Sequence, residues 1–197
     1  MSAPTICSEA IEGPFAESGT TMTPNDDRQR EGLPELPEHL QRWPGLWVRK
    51  GDRIADAPAR DAAVARSYPR YRDKGPVAGG KRITILTEDE THLVGDEVRV
   101  VHVVEFVEPG HQAYVMGPKP VFGEFIDDEL VTEPVPAGDP LVPAEYNGVT
   151  LPSPAVDYNF EITTYTFHEP GIYWIQWRLG QLVSNTLEVI VESLPAA

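Results

Sequence analysis

Five histidines are the side chains best suited to metal or acid–base chemistry in this chain of 197 residues: His39, His92, His102, His111 and His168. Imidazole ligates zinc or copper and titrates near neutrality. His102 stands out, because strand parity puts it among the apolar even positions Val98, Val100, Val104 and Phe106 of the segment EVRVVHVVEFV. A ring placed there needs a polar partner. His92 precedes that segment and His111 follows the next turn, with Glu105 and Glu108 nearby in sequence. No pair has the short spacing that ligand motifs use, and Glu105 has the opposite parity to His102. The pattern therefore predicts a core histidine hydrogen-bonded to backbone or tyrosine, with no metal and no cofactor assigned.

Nucleophilic chemistry finds less support. Ser184 lies in a strand pattern, Ser153 stands between prolines, and no Gly-x-Ser-x-Gly elbow occurs. Cys7 is the single cysteine, so an internal disulfide is excluded; it reads as a reduced thiol in a loose N-terminal stretch. Gly79-Gly80-Lys81 lacks the rest of a phosphate cradle. An isopeptide cross-link among Lys81, Asn185 and Glu105 would need Glu105 buried beside the other two, and its parity points it outward. No catalytic residue is assigned.

Recognition chemistry has better candidates. The segment Met116–Ile126, MGPKPVFGEFI, holds Lys119, one of only five basic residues after position 80, among Met116, Phe122 and Phe125. Large apolar side chains on a Pro/Gly-rich loop either fold back into a core, the favoured destination here, or meet a partner. Trp174 raises the same question from the outward face of its strand. Met116, Lys119, Phe122, Phe125 and Trp174 are the candidate binding residues.

The elements that must position these groups are mainly strands. Twenty prolines argue against a helical bundle. Lys81–Leu86 alternates with Ile83 and Ile85 inward, Glu97–Val107 is long and β-branched, and Gln112–Met116 reads as a further strand. The span from Gly117 to Pro154 is irregular and acidic, with short candidates at Val121–Ile126 and Leu130–Val131. Val156–Phe167 reads as a strand with a bulge near Thr163-Thr164, and Tyr158, Phe160 and Ile162 share one face. After the turn His168–Gly171, Tyr173, Ile175 and Trp177 point one way, and Trp174, Gln176 and Arg178 the other. Val183, Leu187, Val189 and Val191 line the inner face of the last strand.

The first eighty residues differ. Residues 1–33 read as a loose arm. Glu38–Trp43 forms a short helical turn, with Leu36, Leu40, Trp43 and Trp47 on one side. Asp56–Tyr68 is the one convincing helix, capped by Asp56, opened by Pro58 and ended by Pro69. Gly75–Gly80 reads as a linker. This divides the chain into an extension over 1–80 and a main domain over 81–194.

At Phe167–Trp177, FHEPGIYWIQW, a Pro-Gly turn is followed after one residue by an inward tyrosine and alternating apolar residues. This resembles the tyrosine corner of immunoglobulin-like and fibronectin type III-like sandwiches, and SNTLEVIV resembles their closing strand. The resemblance implies that the Tyr173 hydroxyl bonds backbone a few residues upstream. It also implies an all-β, immunoglobulin-like antiparallel β-sandwich, here with an irregular N-terminal extension carrying one short helix. It implies no activity.

Charge bounds the partners. Before Lys81 there are 11 basic against 12 acidic residues, and from Lys81 onward 5 against 19. So acidic a domain repels phosphate backbones and anionic lipid, which disfavours both nucleic-acid and membrane binding, and neither is expected. Arg42–Lys74 is locally basic, with nine basic and four acidic residues. That stretch is expected to dock on the acidic sandwich, with Trp43 and Trp47 covering Trp174, or else to meet a second subunit or a partner. No secretory signal pattern opens the sequence and no apolar run has the roughly 18 residues of a membrane span, so the expected location is the cytoplasm. The expected function is non-catalytic: an acidic interaction or accessory protein acting through a protein partner or self-association. The rival is a small ligand-binding protein or enzyme with a site between extension and sandwich, metal-assisted through His102 and His111.

Overall fold

Proline governs how the described chain begins. Helix α1 (Glu38–Gln41) starts behind Pro37 and stops short of Pro44, and Leu40 is its buried residue. A computed structural model describes residues 34–115, 117–142 and 148–193, so the expectations for residues 1–33, Cys7 and Met116 lie outside the described residues. Strands β1 (Trp47–Lys50) and β2 (Arg53–Asp56) then form a hairpin about Gly51, whose φ of 61° suits glycine. Helix α2 (Ala59–Ser67) follows Pro58 and runs into a 3-10 turn over Tyr68–Arg70. Two expectations are corrected here. Trp47 opens a strand rather than joining a helical face, and Asp56 closes β2 instead of capping the helix, which starts only where Pro58 fixes φ.

The remaining elements are strands. They are β3 (Lys81–Leu86), β4 (Thr91–Leu93), β5 (Glu97–Phe106), β6 (Gln112–Tyr114), β7 (Glu124–Ile126), β8 (Glu129–Leu130), β9 (Thr150–Pro152), β10 (Ala155–Asp157), β11 (Thr163–Thr166), β12 (Gly171–Leu179) and β13 (Leu182–Glu192). The fold is all-β, with two short α-helices. One sheet is organised on β5, which pairs antiparallel with β3 along one edge and with β10 and then β11 along the other. The second sheet has the order β4-β13-β12-β7-β8, antiparallel except where β4 runs parallel to β13. Strands β6 and β9 make a separate pair.

The inward faces of the two sheets meet in one core, where Ile83, Ile85, Val98, Val100 and Val104 join Ile175, Trp177, Leu187 and Val189. A β-bulge between Gln176 and Arg178 shifts the register of β13, which is why Val183 is only partly buried while Leu182 is buried. Where β3 approaches β13, the Asn185 carboxamide stands in for a strand. It accepts from Ile85 N at 2.9 Å and donates to Ile85 O at 3.0 Å, satisfying both groups of that peptide edge. The Tyr173 hydroxyl donates to Glu169 O at 3.0 Å across the turn into β12.

Strand β5 is buried on both faces. Its odd positions Val101 and Val103 pack with Leu40, Leu46, Ala65, Tyr68, Val156 and Tyr158 in a second core beneath the N-terminal segment. Trp43 lies 5.2 Å from Tyr158, ring to ring, and Tyr68 contacts Tyr158 edge-on. The described part of the extension, from Leu36 to Tyr71, thus covers the outer face of the β5 sheet, where Val101 and Val103 receive it, and not Trp174. The chain between β10 and β11 also departs from expectation. Tyr158 and Ile162 serve the second core and Phe160 the first, since the backbone leaves the ladder there. The expected linker is packed at Gly75, where a Cβ would come within 2.1 Å of Ile83 O. Among the described residues no helix is long and apolar enough to cross a membrane.

Candidate functional site

The outer face of the five-stranded sheet follows from strand parity. Gly171–Leu179 alternates so that Tyr173, Ile175, Trp177 and Leu179 enter the core and Ile172, Trp174, Gln176 and Arg178 face out. In the ladder Ile172 lies opposite Ile190, Trp174 opposite Glu188 and Gln176 opposite Thr186, while Phe125 of β7 lies beside Gln176 and Leu130 of β8 beside Phe125. A stripe of Ile190, Ile172, Trp174, Phe125 and Leu130 therefore crosses four strands. Trp174 is 51% exposed and Ile172 50%. Single exposed apolar residues need no explanation; a run of them across neighbouring strands makes this face the candidate site.

Charge frames the stripe. The β7–β8 turn places Asp127 and Asp128 at φ of 50° and 66°, a conformation that Asp tolerates better than most residues. Asp127 Oδ1 accepts from Trp174 N at 2.9 Å, which fixes the turn beside the indole. The Arg178 guanidinium lies 4.4 Å over the Phe125 ring and pairs with Asp128. Phe125, Asp127, Asp128, Trp174, Gln176, Arg178 and Thr186 line a shallow depression of about 260 Å³.

Two buried polar clusters lie elsewhere. On the inner face of β5, His102 Nε2 is 2.9 Å from Glu124 Oε1, with both side chains wholly buried. Tyr165 donates to the other Glu124 oxygen, and Trp177 packs edge-on to the His102 ring at 4.9 Å. The second ring nitrogen, Nδ1, is buried with no hydrogen-bond partner among the described residues. Burial pushes the Glu124 carboxyl up, but the charge of the His102 ring and the bonds from His102 and Tyr165 outweigh it and hold the group below the usual carboxylate range. Burial beside Glu124 pushes the Tyr165 phenol up.

On the outer face of β5, Glu105 is the hub of the second cluster. Tyr68 donates to its Oε2 at 2.6 Å, His39 Nε2 lies 2.9 Å from Oε1, and Arg82 and Lys74 stand 3.2 and 3.9 Å from Oε2. Burial again pushes the carboxyl up, and bonds from Tyr68 and His39 with the charges of Arg82 and Lys74 bring it below its ordinary value. His39 also borders a groove of about 860 Å³ between α1 and Leu151–Val156, walled by Trp43, Pro44, Pro152 and Pro154.

The candidate binding residues do not converge on one surface. Trp174 and Phe125 share the outward face. Phe122 packs against the inter-sheet core, and its carbonyl accepts from Trp177 Nε1 at 2.8 Å. Lys119 turns inward, 12% exposed, with Nζ 2.7 Å from Tyr114 O and 2.5 Å from Asp157 Oδ2. Burial pushes the Asp157 carboxyl up against the pull of that lysine. Met116 lies outside the described residues. The isopeptide trio is dispersed: Lys81 pairs with Asp139, Asn185 bonds the β3 backbone, and Glu105 lies on the far face of β5. His102 is enclosed with Glu124, whereas His111 contacts the Phe106 ring at 6.3 Å. Among the described residues no group of three His, Cys, Asp or Glu side chains is placed to hold a metal ion. Ile172 and Ile190 were missed as members of the exposed stripe, although the parity that set Trp174 outward applies equally to Ile172.

No family model matches the chain, and neither the curated proteins nor the solved structures give a significant match.

Proposed function

We propose that this protein is a non-catalytic interaction or accessory module on an immunoglobulin-like β-sandwich, and that it docks a protein partner or a second copy of itself on the outer face of its five-stranded sheet. The sandwich reading is supported by the order of the strands. β3, β5 and β11 lie side by side as the A, B and E strands do in that architecture, and β7, β12 and β13 as C, F and G do. The bond from Tyr173 to Glu169 O supports the tyrosine-corner resemblance. The docking reading rests on one asymmetry: the N-terminal segment covers the outer face of one sheet, while the other sheet keeps Trp174 and Ile172 half exposed. Tryptophan is enriched among the residues that carry binding energy at interfaces.

A photoreactive residue at position 174 tests this. It is expected to cross-link one discrete species in cells, whether this chain or another protein. A control at Ile54, equally exposed on the β1–β2 hairpin, is expected not to. Absence of a discrete species at 174 removes the docking reading.

A second reading is favoured by the groove beside His39. Pockets of this size with apolar walls and a few fixed polar groups are usual for small ligands. Glu105 holds the imidazole by Nε2, which leaves Nδ1 to address a ligand. On this reading a mainly apolar small molecule carrying one polar group binds there, and His39→Ala weakens it about tenfold, the loss of one hydrogen bond to a fixed group. Unchanged affinity in a titration of the variant, with any ligand found for the wild type, would sink it.

A further inference from the structure

The groove beside α1 contains one polar group whose hydrogen-bonding role is fixed from behind. Glu105 accepts from Tyr68 at 2.6 Å and has Arg82 and Lys74 beside it at 3.2 and 3.9 Å. Those partners keep it an anion, and a carboxylate only accepts. His39 Nε2, 2.9 Å from the other carboxylate oxygen, must therefore carry a proton. In the neutral ring the opposite nitrogen, Nδ1, is then an acceptor. It has no hydrogen-bond partner among the described residues, and unlike Nδ1 of His102 it is not buried.

The walls set the remaining demands on an occupant. Trp43, Leu151, Pro152 and Pro154 make them mainly apolar, and proline has no N–H to offer. The two charged residues of the rim, Glu38 and Arg42, pair with each other at 2.6 Å, and the charge of Glu105 behind His39 is answered by Arg82 and Lys74. No charge is left over to select an ion. Ser153 brings a second polar group to the wall. Its N donates to His111 O at 3.0 Å and its Oγ accepts from His111 N at 2.9 Å, so among the described residues the hydroxyl proton has no acceptor.

Resting on the small-molecule reading of this groove, we propose that its ligand is an uncharged, mainly apolar compound bearing a hydroxyl group, an alcohol or a phenol, which donates to His39 Nδ1. A hydroxyl oxygen also accepts, so the Ser153 proton is not stranded when the groove fills. The other ligand classes each leave a group unsatisfied. A carbonyl or a ring nitrogen serves Ser153 but covers His39 Nδ1 with no donor, and a hydrocarbon serves neither. A carboxylate would meet the Nδ1 lone pair, with Arg42 already held by Glu38. A site that fixes an acceptor in advance discriminates most sharply against the analogue that lacks the matching donor.

Three bicyclic probes of nearly equal size separate these chemistries: naphthol donates and accepts, quinoline only accepts, and naphthalene does neither. Each is titrated into the full chain at about pH 8, where imidazole is neutral, and followed by the NMR signal of the Trp43 indole N–H in the groove wall. Naphthol is expected to bind about five- to tenfold tighter than either of the others, the share of one hydrogen bond to a fixed acceptor. His39→Phe keeps a ring and removes the acceptor, so naphthol should fall to the level of quinoline. His39→Gln offers an amide N–H to Glu105 and a carbonyl oxygen to the groove, and should keep part of the preference. Circular dichroism shows whether each variant is folded. If His39→Phe does not fold, the wild-type ranking and the glutamine variant decide. Equal affinities for naphthol and quinoline in the wild type, or a preference unchanged in folded His39→Phe, overturn the hydroxyl assignment and leave the groove reading standing. Failure of all three probes to move the Trp43 signal removes both.

Discussion

Replacing His102 with alanine is expected to destabilise this protein by about 3–5 kcal/mol, the range for removing one member of a buried ion pair. The magnitude comes from what remains. Glu124 lies between the sheets with its side chain wholly buried, and it would keep the Tyr165 hydroxyl but lose the imidazole. The Trp177 ring would also lose its edge contact with the imidazole and face a cavity. Urea denaturation at neutral pH should show a lower midpoint with unchanged slope. In His102→Phe combined with Glu124→Leu, both polar groups are gone and most of the volume is kept, so much of the loss should be recovered. The deficit of His102→Ala should also depend on pH. In the wild type the Glu124 carboxyl is held below its ordinary value, so its contribution is complete above the ordinary glutamate pKa of about 4.3 and is lost as pH falls through the lower folded value. Without His102, burial dominates and the carboxyl takes up its proton at higher pH. The gap between the two proteins is therefore widest at neutral pH and narrows in acid. A deficit below about 1 kcal/mol at neutral pH, or one that grows in acid, would show that the pair is not ionised in the fold.

How much of this was legible depended on the question each residue posed. Parity answered which side of a strand a residue faces. It set His102 inward and Trp174 outward, and Tyr173 bonds backbone upstream as its corner position implied. Parity does not say what stands on that side. Glu105 was read correctly as facing away from the sandwich core, yet it is buried, because the extension supplies Tyr68, His39 and Lys74 above it. The partner of His102 was illegible for a related reason. Glu124 belongs to the other sheet, 22 residues on, in a three-residue strand whose acidic neighbours made it one carboxylate among many. Lys119 shows the converse error. A lone lysine among apolar residues looked like a recognition group, but Asp157, itself hidden in the pattern of β10, draws it inward. The docking of the extension was misassigned because charge and tryptophan content describe an affinity and not a location. The location was set by Val101 and Val103, the apolar members of the odd face of β5.

Those odd positions make Glu105 the residue on which attachment of the extension depends. Glu105→Ala is expected to cost about 3–5 kcal/mol, comparable to the core pair, but to express the loss differently. The substitution leaves Arg82 and Lys74 facing each other without an anion, and takes from the Tyr68 hydroxyl, which burial and the neighbouring carboxylate keep protonated, the acceptor it bonds. It also frees His39 and with it α1. All of these groups sit at the junction of extension and sheet, whereas the core between the sheets does not touch Glu105. The expected result is therefore partial opening: cleavage of the chain between Leu36 and Lys74 by a low dose of protease, while the strands from Lys81 onward stay protected. Glu105→Gln, which keeps an acceptor for Tyr68 but offers no charge to Arg82 and Lys74, should fall between wild type and alanine. If Glu105→Ala instead unfolds in one step, with the extension and the strands becoming cleavable together, the extension is an integral layer of the core and not a separately anchored cover. The second core beneath it, with Val101, Val103, Tyr68 and Tyr158, would then hold it without the carboxylate.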